Sequence, residues 1–368
     1  MTTNRVPLDV LDLAPISEGS TAREALQNTI DLARRAEDWG FHRYWVAEHH
    51  FVAAASSAPD VLIGLIAAAT HRIRVGSAAV QIGHRTAVSV VEAFGVIDAL
   101  HPGRIDLGLG RSGQRRTETD QRPQAAARET TVRHGIPFPA AQPSTAVLTS
   151  ERFAAATSVL QGSSQVPDFD DQLDEVTALL SGQFRADNGV RLSATPGEGA
   201  DVELWLFGSS AGQSAHSAGS RGLPFVANYH VSPGTTLEAI EAYRSAFTPG
   251  VLARPYVVVS ADVLAAETDS HAEYLATPFP RWVHSIRSGR GAVPYPDPRR
   301  VGPLSPDQQA LVADRIATRI VGSAENVADR LERLQRATGA AELLVTTIAH
   351  DHQDRVRSYE LLARAWAS

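Results

Sequence analysis

The sequence predicts an α/β fold, a single (β/α)8 barrel, and three observations lead there. Eight short apolar segments alternate with helical patterns from one end of the chain to the other. Several of those segments are apolar without alternation, which is how strands covered on both faces read. No Gly-x-Gly-x-x-Gly follows the first strand, so an open dinucleotide-binding sheet lacks its fingerprint. At 368 residues the chain is long for an average domain but ordinary for one barrel.

Strands are expected at 8–15, 44–48, 73–82, 105–110, 203–208, 224–229, 256–263 and 342–347, each bounded by Gly, Pro or charge. The first helix, 21–39, opens on Thr21 with Glu24 three residues later, the capping-box pattern, and stops at Gly40. Further helices are expected at 58–70, 87–100, 212–222, 235–246, 324–338 and 353–366. Two stretches interrupt the alternation, giving a TIM barrel with insertions after strands 4 and 7. The first, 113–200, holds a Gln/Arg/Ala/Pro-rich segment over 115–165 and an acidic helical pattern near 168–180. There Asp168, Asp170, Asp171, Asp174 and Glu175 read as a solvated face rather than a cation site. The second, 267–306, carries Trp282, His284 and Tyr295 and is expected to form a lid. Both insertions follow strand C-terminal ends, where barrel active sites sit, and 1–368 is read as one domain. Helices 60–70 and 88–100 are apolar almost all round, which predicts a homodimer through them, with cover by the insertions as the alternative.

Composition narrows the chemistry. All 34 basic residues are Arg, so Schiff-base lysines and phosphate-loop lysines are excluded. There is no Cys, which removes disulfides, thiolate metal sites and thiol nucleophiles. A net charge of −7 argues against nucleic acid and against a polybasic membrane surface. No basic-then-apolar leader precedes Leu8 and no run approaches the roughly 20 apolar residues of a membrane span, so a soluble cytoplasmic protein is expected. There is no Gly-x-Ser-x-Gly, His-Glu-x-x-His or Walker motif.

Three strand ends carry candidate site residues. The second strand ends Trp45-Val46-Ala47-Glu48-His49-His50-Phe51, bringing a carboxylate and two imidazoles to the barrel mouth. Histidine changes charge near neutral pH, which suits proton transfer. Neighbouring His49 and His50 point to opposite faces of an extended strand, so joint metal chelation is disfavoured and no metal is expected. The fourth strand ends Asp106-Leu107-Gly108-Leu109-Gly110-Arg111, where glycines admit a close planar neighbour and Arg111 can meet a phosphate. The fifth runs into Gly208-Ser209-Ser210-Ala211-Gly212-Gln213 before a helix, a pattern that fits an anion cradle and also an ordinary cap. Asn228 and His230 follow the sixth strand.

Read together, Ala36-Glu-Asp-Trp-Gly-Phe41, the Glu48-His49-His50 run, Val75-Gly-Ser-Ala-Ala79, Pro102-Gly-Arg-Ile-Asp-Leu-Gly-Leu-Gly-Arg111, Leu206-Phe-Gly-Ser-Ser210, Gly322-Ser-Ala-Glu-Asn-Val327 and Glu342-Leu-Leu-Val-Thr-Thr347 resemble the luciferase-like monooxygenases, in family order. The resemblance is to the FMN-using, bacterial-luciferase branch, some members of which act in actinomycete polyketide pathways such as mensacarcin biosynthesis. It implies reduced FMN (FMNH2) in the mouth, delivered by a separate NAD(P)H:flavin reductase and reacting with O2 through a C4a-(hydro)peroxyflavin to oxygenate a small organic substrate. His49, with Glu48 beside it, takes the catalytic place. Ala78-Ala79 matches a non-proline cis peptide under the flavin ring. Gly110 and Arg111 match flavin contacts, and Ser209, Ser210 and Gln213 the phosphate turn. His50, Asn228 and His230 are expected to face the substrate. Departures are Ser209 for a luciferase Glu, Gln213 for a Thr, and Gly110 for the luciferase reactive Cys.

Two other readings use the same fold. A deazaflavin (F420)-dependent oxidoreductase would move hydride without O2, drawing on His84, Arg85 and Arg111 for a longer phosphate tail. A non-catalytic flavin-binding protein would be expected to have lost barrel segments or His49.

Overall fold

The computed structural model describes residues 5–111, 129–140, 149–161 and 167–368. About half of the 115–165 stretch therefore lies outside the described residues.

Eight parallel strands form the barrel: β1 Leu8–Asp12, β2 Arg43–Val46, β3 Arg74–Ser77, β4 Ile105–Gly110, β5 Glu203–Gly208, β6 Phe225–Ala227, β7 Val257–Ala266 and β8 Glu342–Thr346. Each pairs in parallel with the next, and β8 returns to β1 with Leu8 opposite Leu343, which closes the sheet. All eight expected strands are present. The 73–82 segment is divided by the Ala78–Ala79 cis peptide into β3 and a two-residue strand, Val80–Gln81, that pairs with the upper end of β4.

Twelve α-helices lie among the described residues: α1 Ala22–Asp38, α2 Pro59–Ala69, α3 Ala87–Leu100, α4 Glu151–Gln161, α5 Phe169–Leu180, α6 Gln213–Ser220, α7 Thr236–Ala246, α8 Asp269–Ala276, α9 Phe279–Ser285, α10 Pro306–Thr318, α11 Ala324–Thr338 and α12 His352–Ala367. The capping box of α1 forms between Thr21 and Glu24, and Gly40 takes the left-handed conformation that lets the chain leave the helix. Helices α4, α8, α9 and α10 were not expected from the sequence. Neither were the hairpin Thr131–Arg133/Ile136–Phe138 and the four-residue strand Ile320–Ser323, which extends the upper half of β7.

Strand alternation sorts the core into two layers. Outward residues such as Val10, Val46, Val75 and Leu107 pack under the helices. Inward residues Leu11, Trp45, Trp205, Phe207, Val226, Val258 and Leu344 fill the barrel, with Trp45 edge-on to both Trp205 and Phe207 at 5.4 Å. Below them the lower end is shut by ions. Arg43 lies 2.6 Å from Asp106, 3.0 Å from Glu203 and 4.6 Å over the Trp205 ring, and Tyr256 donates to Glu342.

The acidic helix forms as expected, with its acids toward solvent and one apolar face turned inward. Phe169, Leu173, Val176 and Leu179 of α5 are buried and pack on α3, so α5 is half core. Its carboxylates are engaged: Asp170 and Asp174 both pair with Arg221. α5 thus covers part of the apolar surface of α3, where Gly95 meets the Gly197 backbone so closely that a Cβ would lie 2.3 Å away. Beyond that cover, Val61 (62%), Leu65 (53%), Val96 (49%) and Leu100 (72%) remain exposed. The 267–306 segment is largely helical, with its own core of Phe279, Trp282, Val283 and Tyr295 against Val312 and Ile348. It is stitched to the loops after β1 and β2 by Tyr295 N–H donating to Ile16 O, Glu18 N–H to Tyr295 O, and Ala53 N–H to Ala292 O.

Candidate active site

The C-terminal ends of the strands meet in a mouth whose floor is the Trp45–Phe207–Trp205 aromatic layer. Gly108 is one reason that floor exists. A Cβ there would sit 1.9 Å from the Ser77 carbonyl and 2.5 Å from the Phe207 ring. The close planar neighbour expected at these glycines is, at Gly108, the Phe207 ring. Gly110, one step up, faces Ala79 at 3.3 Å from a built Cβ, and Ala78 and Ala79 pack on the aromatic layer. Together they form a narrow apolar shelf.

The end of β2 splits its polar residues between two sides. Glu48 is buried and accepts from the Gln81 backbone N–H (3.1 Å), while its Oε1 lies 2.9 Å from His50 Nε2. Gln81 also donates its amide to the Glu48 carbonyl at 2.7 Å. Glu48 and His50 thus brace the cis-peptide segment, and both carry contacts of an anchoring kind. His49 turns the other way. Its backbone N–H donates to Ser56 O, and its Nδ1 is buried without a hydrogen-bond partner. Burial pushes the His49 pKa down to about 4, aided by the adjacent His50, so the ring is neutral at pH 7.

His230 faces the same space and is also pushed down to about 4, chiefly by burial, with Asp262 opposing the shift and Arg315 and His49 adding to it. Its Nδ1 is 2.6 Å from Ser260 Oγ. Asn228 Nδ2 donates to Ser209 Oγ at 3.2 Å, so Asn228 braces the turn after β5. In that turn Thr235 donates to the Ser209 carbonyl, and Gly212 starts α6 with no side chain capping the first N–H groups. Arg111 donates to Gln213 Oε1 at 3.2 Å, while Gln213 Nε2 donates to Asp170 at 2.8 Å. Gln213 is therefore already committed to joining Arg111 to α5.

The structure brings the expected residues into two groups. Arg111, Ser209, Ser210 and Gln213 gather at the start of α6, and His49 lies near enough to His230 to act on its charge. This donor set fits a flavin phosphate at one end and a planar ring at the other. Ser260, Asp262 and Arg315 were missed by sequence reasoning. A signal was present: in Val258-Val259-Ser260-Ala261-Asp262 the two polar residues share the phase of Val258, which points into the barrel.

Comparison with known proteins gives the family. The luciferase-like monooxygenase family model matches residues 6–135 and 154–341. The Bacillus subtilis protein YvbT is 39% identical over 98% of this chain and 96% of its own, and a luciferase-like monooxygenase of Escherichia coli K12 is 35% identical over 98% and 97%. Among solved structures, apo-MsnO8 is 32% identical with a TM-score of 0.75, covering 98% of both chains. At 18% and 14% identity, likeness in fold alone extends to the oxygenating constituent of 3,6-diketocamphane monooxygenase from a Pseudomonas putida plasmid, solved with FMN (TM-score 0.64, 99% and 98% covered), and to an F420-dependent secondary alcohol dehydrogenase (TM-score 0.61, 98% and 99% covered). With a family model spanning most of its length and close relatives end to end, the chain belongs to the luciferase-like monooxygenase family.

Proposed function

We propose that this protein is a monooxygenase that takes reduced FMN from a separate NAD(P)H:flavin reductase and uses O2 to oxygenate a small organic substrate, a polyketide intermediate being one candidate class. One oxygen atom enters the substrate, the other leaves as water, and reduced FMN is oxidised to FMN. The observation that carries this reading is the pairing of a buried, neutral His49 with an apolar shelf at one side of the mouth and an anion-ready helix start at the other.

The chain's own residues divide the work. Arg111, the Ser209 and Ser210 hydroxyls and the first N–H groups of α6 would hold the phosphate. Ala78, Ala79 and Gly110 would take the planar ring, and the apolar shelf they form beside the aromatic floor would keep water from it. His49, neutral and lacking a partner on Nδ1, accepts or returns a proton at the oxygen being transferred. Glu48 holds the segment that carries the shelf. The exposed apolar residues Val61, Leu65, Val96 and Leu100 on α2 and α3 fit a second copy of the chain, giving a homodimer. Among the described residues no helix is long and apolar enough to cross a membrane, in keeping with a cytoplasmic enzyme.

The test is anaerobic titration with reduced FMN, then mixing with oxygenated buffer. Tight binding, weakened at least about tenfold in Arg111→Ala, is expected, since a charge-assisted phosphate contact is worth roughly 1.5–3 kcal/mol. Binding of reduced F420 in place of reduced FMN would overturn the monooxygenase reading and leave hydride transfer.

A further inference from the structure

Strand β7 reads Val257-Val258-Val259-Ser260-Ala261-Asp262-Val263-Leu264, and every one of these residues is buried. Serine and aspartate are costly in such a strand unless each has a partner. Both have one. Asp262 Oδ2 lies 2.8 Å from Arg315 Nη2 of α10, an ion pair buried on both sides. Ser260 Oγ lies 2.6 Å from His230 Nδ1 and 3.4 Å from the Ala227 carbonyl.

A hydroxyl has one proton to give. The Ala227 carbonyl can only accept. If the Ser260 proton points there, Oγ presents a lone pair to His230, and the ring must carry its own proton on Nδ1. Nε2 is then a bare acceptor. No hydrogen bond from a described residue reaches Nε2, and the groups that act on the ring are Ser260, Asp262, Arg315 and His49. Asp262 and Arg315 act in opposite directions on the ring's charge, so burial decides, and the ring is neutral.

We propose that Ser260 is a positioning residue that fixes His230 in the Nδ1–H tautomer, so that its Nε2 lone pair stands open to the mouth near His49 and receives a hydroxyl donor of the substrate. This rests on reading the mouth as the substrate site. The group recognised is a phenol, enol or alcohol. A carboxylate or sulfonate would set negative charge against a lone pair, and an ether or alkane would leave Nε2 buried and unpaired.

The experiment starts without flavin, on the full chain labelled with 15N-histidine. Two-bond nitrogen–proton correlations report the tautomer of each ring, and the spectrum of His230→Gln assigns the His230 signals. The expected result is a neutral Nδ1–H ring in the wild type and a change to Nε2–H, or to a mixture, in Ser260→Ala. An Nε2–H ring in the wild type overturns the proposal before any variant is made, and an unchanged tautomer in folded Ser260→Ala overturns the role of Ser260. Phenol, anisole and benzoate then serve as probes. Phenol should move the His230 Nε2 resonance at concentrations where anisole and benzoate do not; an equal response to anisole sinks the assignment of a hydroxyl subsite. Because none of these readouts involves flavin, failure here is separable from failure to bind reduced FMN.

Discussion

Acidification should expose how strongly the mouth depends on a neutral His49. The ordinary imidazole value is 6.5 and the folded value about 4, so between those limits the unfolded chain takes up a proton that the folded chain refuses. Above pH 6.5 both states are neutral and the linkage contributes nothing; as pH falls toward 4, stability is lost. At about pH 5 the ratio of binding polynomials, (1 + 10^1.5)/(1 + 10^−1), corresponds to about 2 kcal/mol. Part of the ring is open to the mouth, which lowers the expectation to about 1–2 kcal/mol. The comparison is between wild type and His49→Gln, by urea unfolding followed through tryptophan fluorescence, near neutral pH and at about pH 5. Carboxylates titrate alike in both proteins and cancel in the difference. The variant should gain about 1–2 kcal/mol on the wild type over this interval. If the two stabilities run parallel within about 0.5 kcal/mol, His49 is not buried and neutral as described, and its assignment as the proton carrier falls with it.

Other substitutions probe the scaffold and the assembly. Gly108→Ala should destabilise by about 3 kcal/mol or more, because Cβ would overlap the Ser77 carbonyl and the Phe207 ring; a melting temperature close to wild type would contradict the described floor. Arg355→Met strands Asp12, which is fully buried and otherwise held by Tyr44 and the Ala14 N–H, at a cost of about 3–5 kcal/mol. Pairing it with Asp12→Asn should recover part of that loss in chemical denaturation, and no recovery would mean that the cost comes from packing alone. Leu65→Glu together with Leu100→Glu should convert a dimer to a monomer in sedimentation velocity, and a wild type that already sediments as a monomer refutes the interface.

The eight barrel strands were legible because each is a compact apolar run between breakers, and buried parallel strands need little else. The capping box of α1 was legible for a local reason: Thr21 and Glu24 satisfy each other's backbone within one turn. What the sequence hid depends on distant partners. The Asp168–Leu180 acids do face solvent, but the ion pairs of Asp170 and Asp174 with Arg221, some fifty residues on, carry no local signal. Ile320–Ser323 is too short to show a period and is a strand only because β7 runs long enough to pair with it. At the site, Glu48, His49 and His50 were visible as a tandem, but which ring meets the mouth follows from the Glu48–His50 contact at 2.9 Å and not from residue type. The role of Ser260 was hidden by its surroundings, since a lone serine among valines carries no motif.

The ion-closed lower end of the barrel has a kinetic corollary. Among the described residues Arg43, Asp106, Glu203 and Glu342 shut the bottom beneath the aromatic layer, so the mouth has no passage down through the barrel. Whatever lies against the floor can leave only after whatever lies above it has gone. Exchange is therefore last in, first out: the deeper occupant's escape rate is capped by that of the shallower one, and an excess of the upper ligand should slow release of the lower without touching its affinity.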